Sequence, residues 1–246
     1  MTEAEATPDQ DGGVVRLDDE QKVMDLLARS VLGLWTVVND LTRLRPVHRK
    51  AYRVTIFGSA RIEPTHWVYE AVRDLAAELT RLGCDIVTGG GPGLMQAANE
   101  GARIASPDGQ RASVGIRIEL PFEQDVNSFV DQAYEHATFF TRLHHFVLVS
   151  DAFVVVPGGI GTVLEMMMIW QLLQVRKLHD TPLIVAGAMW GELVDWARRA
   201  MLRPDAPLAS PEDMAIPVCV NDGPSILRIV REHHALWKGR RASAQP

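Results

Sequence analysis

Apolar positions follow one pattern before Pro46 and a different one after it. Between residues 21 and 46 they recur at spacings of three and four, which predicts a single N-terminal helix that ends at this proline. The members of the apolar face are Val23, Leu26, Leu27, Val31, Leu34, Val38 and Leu41. Residues 1–20 are rich in Asp, Glu, Gly and Pro, so the sequence predicts disorder there.

From residue 50 onward, short β-rich runs alternate with longer stretches of helical pattern. The runs are YRVTIFG, CDIVTGG, ASVGIRIEL, DAFVVVPGG, PLIVAG and IPVCV, and HWVYEAVRDLAAELTRLG is typical of the stretches between them. Strands at this spacing with helical connections favour a parallel sheet covered on both faces. The sequence therefore predicts a doubly wound α/β domain over residues 50–240, preceded by a helical extension.

Composition narrows the class of protein further. The chain has 246 residues, of which 47% are hydrophobic and 23% are charged, enough to bury one sizeable core. The formal net charge of -6 gives no basic footprint for nucleic acid, and no apolar run is long enough to span a membrane. The sequence therefore predicts neither nucleic acid nor a membrane as a partner. The polar, acidic start does not resemble a signal peptide, which favours a cytoplasmic protein. Cys84 and Cys219 lie in apolar runs and are expected to be buried thiols.

Three glycine-rich turns follow predicted strands, at the edge of the sheet where doubly wound folds bind ligands. Glycines let the backbone approach a ligand closely, and amides at a helix N-terminus bind anions such as phosphate. Any one of these glycines could instead serve only a tight turn, but three such turns together favour a nucleotide site. The candidate binding residues are Gly58 and Ser59 in the first turn, Gly90, Gly91, Gly93 and the nearby Met95 in the second, and Gly158, Gly159, Gly161 and Thr162 in the third.

Glu165 lies about one turn into the helix that follows the third turn. A carboxylate repels phosphate, so its role is expected to differ from phosphate binding, and the apolar stretch VLEMMMIW predicts a protected position. Compensation of the helix dipole is the alternative role. The apolar residues 166–170 exceed what one face against a sheet requires, which predicts a second packing surface such as a dimer partner.

The stretch PGGIGTVLE resembles the PGGxGTxxE motif of the LOG family, the cytokinin riboside 5'-monophosphate phosphoribohydrolases long described as lysine decarboxylases. GGGPGLMQAANEGA, SVGIRIELPFEQDVN and FFTRLHHFVLVSDAFVVVPGG extend the resemblance over roughly residues 50 to 200. The resemblance implies a Rossmann-like fold and a homodimer with the active sites near the dimer interface. No cofactor is expected. The resemblance further implies hydrolysis of the N-glycosidic bond of a nucleoside 5'-monophosphate, AMP or N6-substituted AMP, to the free base and ribose 5-phosphate.

The family's catalytic pair falls on Arg142 and Glu165 in this sequence. Two neighbouring charges of the family are replaced, because the Lys that commonly follows the Arg is Leu143 and the acid that commonly precedes the Glu is Leu164. In the implied reaction, Glu165 would stabilise positive charge on the ribose or orient water. Arg142 would hold the ligand or Glu165 through charge-assisted hydrogen bonds.

Other functions stay open at this stage. A non-catalytic nucleotide-binding or molybdenum-cofactor-binding protein could use the same fold. An amino-acid decarboxylase would need a lysine for pyridoxal phosphate, and no motif identifies one. His136, His144 and His145 lie near Arg142, and His136 and His144 could share a helical face, but no cysteine or close carboxylate completes a metal set. No metal site is therefore predicted.

Overall fold

The computed structural model describes residues 19–43, 51–119 and 126–243. It divides into two units, Met1–Leu44 and Arg45–Pro246. In the first unit, helix α1 spans Glu20–Arg43, beginning one residue before the predicted start. The Asp19 carboxylate accepts a hydrogen bond from the backbone N–H of Lys22 at 3.1 Å, which caps this helix. Residues 1–18 and 44–46, on which the predicted disorder and the predicted helix end fall, lie outside the described residues.

In the described part of the second unit, seven strands form one parallel sheet in the order β4-β3-β2-β1-β5-β6-β7. The strands are β1 (Tyr52–Phe57), β2 (Cys84–Thr88), β3 (Ser113–Ile118), β4 (Gln132–His136), β5 (Ala152–Val155), β6 (Leu183–Ala186) and β7 (Pro217–Val220). Strands β2, β3 and β4 lie in succession on one side of β1, and the chain then crosses back so that β5 pairs with β1 on its other side. This reversal of strand order creates a crevice at the carboxyl ends of β1 and β5.

Helices connect the strands and cover the sheet. They are α2 (Trp67–Arg81), α3 (Leu94–Ala105), α4 (Phe139–Val149), α5 (Ile160–Gln174), α6 (Ala188–Met201) and α7 (Gly223–Ser243), with a 3-10 turn at Asp213–Ala215. Within the described ranges, every helix is too short or too polar to cross a bilayer.

Strand β1 shows how the two faces of the sheet are filled. Val54 and Ile56 are fully buried in the cluster that contains the apolar residues of α2, α3 and α7. Phe57 points to the opposite face, where its ring centroid lies 4.9 Å from that of Phe146 on α4. A strand buried on both faces is expected to be largely apolar, and the YRVTIF run fits this description apart from Arg53 and Thr55. The predicted doubly wound, Rossmann-like α/β fold is confirmed.

Two details differ from expectation, and both concern the edges of the sheet. Strand β4 was not predicted, because its sequence QAYEH is polar and its residues are largely exposed. Cys219 is exposed rather than buried, since β7 is the opposite edge strand and is covered less completely. Cys84, in the interior strand β2, is fully buried as expected.

Candidate active site

A cavity of about 660 Å³ opens at the carboxyl ends of β1, β2, β3 and β5. Its volume lies in the range that holds small organic ligands. The lining residues are Gly58, Ser59, Ala60, Arg61, Gly89, Gly91, Pro92, Met95, Arg117, Ile118, Phe139, Arg142, Gly159, Ile160, Gly161, Thr162 and Glu165. The three predicted turns therefore meet in one place, although they are far apart in sequence.

Most of the predicted site residues line this cavity, but Gly90, Gly93 and Gly158 lie behind it. Gly93 has a φ of +68°, and a side chain there would collide with the backbone oxygen of Ser59. A side chain at Gly158 would collide with the side chain of Thr162. These glycines shape the turns, because only a residue without Cβ permits such close packing.

Two helices begin at the cavity. The first backbone N–H of α3, that of Leu94, donates to the Ser59 carbonyl at 2.8 Å, so the N–H groups that could meet an anion are those at the start of α5. Helix α5 has Gly159 as its N-cap and α3 has Gly93, and neither cap residue supplies a side-chain hydrogen bond. The first main-chain bond inside α5 runs from the N–H of Val163 to the carbonyl of Gly159, at 3.0 Å. The N–H groups before Val163 thus lack partners within the helix, and with the helix dipole they favour a phosphate.

Arg142 and Glu165 form a buried ion pair inside the cavity. Arg142 Nη1 donates to Glu165 Oε1 at 2.9 Å, and both side chains are only about one-tenth exposed. Arg142 Nε donates to the carbonyl of Ile116 at 2.8 Å, while its Cζ lies 5.1 Å from the Phe146 ring centroid. A Cβ at Gly89 would lie 2.5 Å from Arg142 Nη2, so the second turn leaves room for the guanidinium only because residue 89 is glycine.

The carboxyl group of Glu165 is tuned towards neutral pH. Burial raises its pKa to about 7, and the nearby Arg142 guanidinium opposes this shift only in part. Helix α5 begins at Ile160 and has no acidic residue in its first turn, so Glu165 lies in the second turn. Compensation of the helix dipole is therefore a poor account of this residue, whereas a carboxyl with a pKa near 7 can exchange a proton at physiological pH.

Sequence reasoning missed two cavity arginines, Arg61 and Arg117. Arg61 follows Ser59 in the first turn, and its N–H donates to the Ser59 hydroxyl at 3.0 Å. Arg117 is the penultimate residue of β3. Their positions at the end of β3 and in the turn after β1 gave no distinct signal in the sequence. Together with Arg142 they give the cavity three formal positive charges against the single carboxylate of Glu165, a balance that suits a phosphorylated ligand.

The two departures from the family pattern lie outside the cavity lining. Leu143 is buried, with 6% of its surface exposed, and Leu164 is 47% exposed. Neither residue contributes to the cavity wall. The Arg142–Glu165 ion pair is thus formed with leucines at both of these positions.

The histidines near Arg142 do not form a metal site with described residues. His136 ends strand β4 instead of sharing a helical face with His144, and its Nε2 lies 2.9 Å from His145 Nδ1. Among the described residues, no group of three or more His, Cys, Asp or Glu side chains is arranged to hold a metal ion.

A pyridoxal phosphate site does not fit the cavity either. That cofactor requires a lysine for its Schiff base, and none of the described residues that line the cavity is a lysine.

The fold and the cavity define a Rossmann-like α/β protein with a cavity at the carboxyl edge of its sheet. Residues 95–230, which include both Arg142 and Glu165, match the family model described as "Possible lysine decarboxylase". The chain belongs to this family, the LOG family.

One curated relative and two solved structures illustrate the likeness. Over 115 residues the chain is 34% identical to the "Probable cytokinin riboside 5'-monophosphate phosphoribohydrolase LOG6" of Arabidopsis thaliana, covering 46% of this chain. The chain spans about half of that relative, 55% of its length. The molybdenum cofactor carrier protein of Chlamydomonas reinhardtii has 18% identity and a TM-score of 0.56, over 76% of this chain and 99% of the carrier.

The molybdenum cofactor binding protein of the phototrophic bacterium Rippkaea orientalis is similar to the same degree. It has 18% identity and a TM-score of 0.55, over 76% of this chain and 98% of its own. At these identities the two structures establish the shared fold alone, since one fold carries many functions.

Proposed function

We propose that the protein is a phosphoribohydrolase that cleaves the N-glycosidic bond of a nucleoside 5'-monophosphate, AMP or an N6-substituted AMP. The products are the free base and ribose 5-phosphate. The observation that carries this proposal is the buried Arg142–Glu165 pair, at 2.9 Å, within a cavity rich in anion-binding groups. Membership of the LOG family supports it, as does the similarity to the Arabidopsis relative.

In this proposal the substrate is anchored by its 5'-phosphate. The phosphate lies against the N-terminus of α5, at Gly159, Gly161 and Thr162, and near the cationic side chains of Arg61 and Arg117. Glu165 follows about one helical turn later, at the distance of the ribose from its phosphate. Binding energy from the phosphate then serves to hold C1' against the carboxylate.

The base occupies the remaining, apolar part of the cavity. Ile118 and Phe139 line this part, and Phe139 is the first residue of α4. An apolar and aromatic wall accommodates the flat face of a purine.

Glu165 performs the central chemical step. As the bond from C1' to the base nitrogen breaks, positive charge builds on the ribose, and the carboxylate stabilises it. Glu165 also accepts a proton from the attacking water, whose oxygen bonds to C1'. The base leaves with the bonding electrons and takes up the proton that Glu165 received from the water, so the reaction adds one water across the bond. Arg142 holds Glu165 in place through its guanidinium, which is itself anchored on the Ile116 carbonyl.

We also propose that the protein is a homodimer. Apolar side chains of α4 and α5 are exposed, namely Phe140 at 66%, Leu164 at 47% and Met167 at 38%. The exposed Phe139 and Ile160 belong to the same two helices and line the cavity. A second copy packed on this surface would bury apolar area and cover the mouth of the cavity. The predicted cytoplasmic location stays a prediction.

A panel of nucleoside 5'-monophosphates, each paired with its nucleoside, tests this function. We expect release of base and ribose 5-phosphate from AMP or N6-substituted AMP, with much slower release from the nucleosides. Equal turnover with and without the 5'-phosphate would contradict the phosphate anchor. Tight nucleotide binding with no turnover would favour a non-catalytic nucleotide or molybdenum-cofactor binder instead.

A further inference from the structure

Asn127 is a buried polar residue that contacts the second glycine turn from behind the cavity. Its side-chain Nδ2 lies 3.1 Å from the carbonyl oxygen of Gly90 and 3.0 Å from that of Gly91. Its backbone N–H donates to the Gly90 carbonyl at 2.9 Å, and its Oδ1 accepts from the N–H of Phe129 at 3.2 Å. Only 9% of its surface is exposed. A single side chain thus holds two consecutive carbonyls of the turn.

A buried hydrogen-bond network supports Asn127. Its Nδ2 also lies 3.0 Å from Asn99 Oδ1, which accepts from the Thr88 hydroxyl at 2.7 Å. The Thr88 oxygen in turn accepts from the N–H of Gly90 at 2.9 Å. The network therefore holds the turn through both its N–H and its C=O groups. Buried polar groups are costly without partners, and a network in which they are bonded fixes one backbone conformation.

The conformation of the turn Gly89–Gly91 determines where the Gly91 N–H points. Across a planar trans peptide the C=O of one residue and the N–H of the next point in opposite directions. Because the Gly90 carbonyl points towards Asn127, the Gly91 N–H points away from Asn127, and Gly91 lines the cavity. No described residue accepts a hydrogen bond from the Gly91 N–H. On the same turn, Gly89 packs directly against the Arg142 guanidinium.

We infer that Asn127 is a positioning residue, which holds the turn Gly89–Gly91 so that the Gly91 N–H faces the bound nucleotide and Arg142 has room to reach Glu165. The identity of the ligand rests on the proposed function, but the role of Asn127 rests on the hydrogen bonds. Asn127 does not touch the ligand and acts only through the turn.

The test is a substitution that removes the amide donor of Asn127 but keeps the shape of its side chain. In Asn127→Asp the oxygen facing Phe129 remains, but the amino group is lost and negative charge faces the carbonyls of Gly90 and Gly91. We expect the Kd for ribose 5-phosphate and the KM for AMP to rise about tenfold or more, and kcat to fall by a smaller factor. Asn127→Ala is expected to have the same effects in milder form.

Thr80→Val is the matched control. Thr80 is a buried residue of α2 whose hydroxyl donates to the Ala76 carbonyl at 2.8 Å, and it does not line the cavity. This variant also loses one buried side-chain hydrogen bond, so it reproduces a general loss of stability. Its Kd for ribose 5-phosphate is expected to stay within twofold of the original value.

Calorimetric titration with ribose 5-phosphate, on variants shown to be folded by circular dichroism, separates this inference from the proposed function. If the original protein binds ribose 5-phosphate but hydrolyses no nucleotide, the proposed function fails, and a selective loss of binding in Asn127→Asp still supports the positioning role. Equal binding in Asn127→Asp and Thr80→Val overturns the inference. So does an original protein that does not bind ribose 5-phosphate, or an Asn127→Ala variant that is folded and binds normally.

Discussion

At the scale of single residues, the pKa of Glu165 connects the structure to a measurable pH dependence. Burial raises this pKa to about 7 although Arg142 lies 2.9 Å away. If the reactive form is the carboxylate, kcat/KM, which reports the ligand-free enzyme, should rise with pH, with a midpoint near 7, and level off above it. Steady-state kinetics with AMP from pH 5.5 to 9 checks this expectation. A kcat/KM that falls as the pH rises through 7 would show that Glu165 works in its protonated form.

The same pKa predicts how stability depends on pH. The folded pKa of about 7 lies above the ordinary value of 4.5, so folding favours the protonated form of Glu165. Its stabilising contribution is complete below pH 4.5 and is lost as the pH rises through 7. The Glu165→Gln variant has no titrating group at this position, so it does not lose this stability as the pH rises. We expect its free energy of unfolding, relative to the original protein, to increase by roughly 2 to 3 kcal/mol between pH 4.5 and pH 8.

Urea unfolding of both proteins at several pH values measures this difference. A difference that stays constant with pH would contradict the raised pKa of Glu165.

The site residues differ in how far the sequence could identify them. Arg142 and Glu165 were predicted because they lie in or near a motif with a characteristic spacing. Arg61 and Arg117 were missed because an arginine at the end of a strand has no feature of its own in the sequence. Only the meeting of four strand ends brings them into the cavity. Asn127 was missed for the same reason, since its partners lie 36 and 37 positions away.

At the scale of elements, the packing of α2 on α3 depends on a glycine. A Cβ at Gly101 of α3 would collide with the backbone carbonyl of Arg73 on α2. Gly101→Ala should therefore lower the free energy of unfolding by roughly 1 to 3 kcal/mol, through forced separation of the two helices. Gly191→Ala is the control, because Gly191 in α6 has nothing within 4 Å of the added Cβ.

Alanine favours helix over glycine, so Gly191→Ala should stabilise the protein by up to about 1 kcal/mol. Denaturant unfolding of both variants checks the pair. A Gly101→Ala variant as stable as Gly191→Ala would mean that α2 and α3 are not in this close contact.

The elements were predictable in proportion to their burial. The six predicted β-rich runs all contain strands. Five of these strands are interior, and an interior parallel strand is apolar on both faces and stands out in the sequence, whereas β7 was predicted from its apolar run although it lies at the edge of the sheet. Strand β4 pairs with β3 at the edge of the sheet and carries polar, exposed residues. Its pairing depends on a neighbour rather than on its own pattern, so periodicity gives no sign of it.

At the scale of the whole molecule, the exposed apolar surface of α4 and α5 predicts a homodimer. Met167→Glu places a charge on this surface and should shift the protein towards monomer at micromolar concentration, as measured by light scattering. Leu236→Glu is the matched control, since Leu236 is 65% exposed on α7 and lies on neither of these helices. A monomeric original protein, or equal dissociation in both variants, would contradict this surface assignment.

The Glu165→Gln variant shows whether Glu165 acts on the ribose of a bound nucleotide. Glutamine keeps the shape of the side chain but removes the carboxylate. We measure AMP turnover and AMP affinity on the same folded variant. We expect turnover to fall roughly a hundredfold or more, while the Kd for AMP stays unchanged or becomes slightly lower. Unimpaired turnover would contradict the catalytic role, and lost AMP binding with normal folding would assign Glu165 to ligand recognition instead.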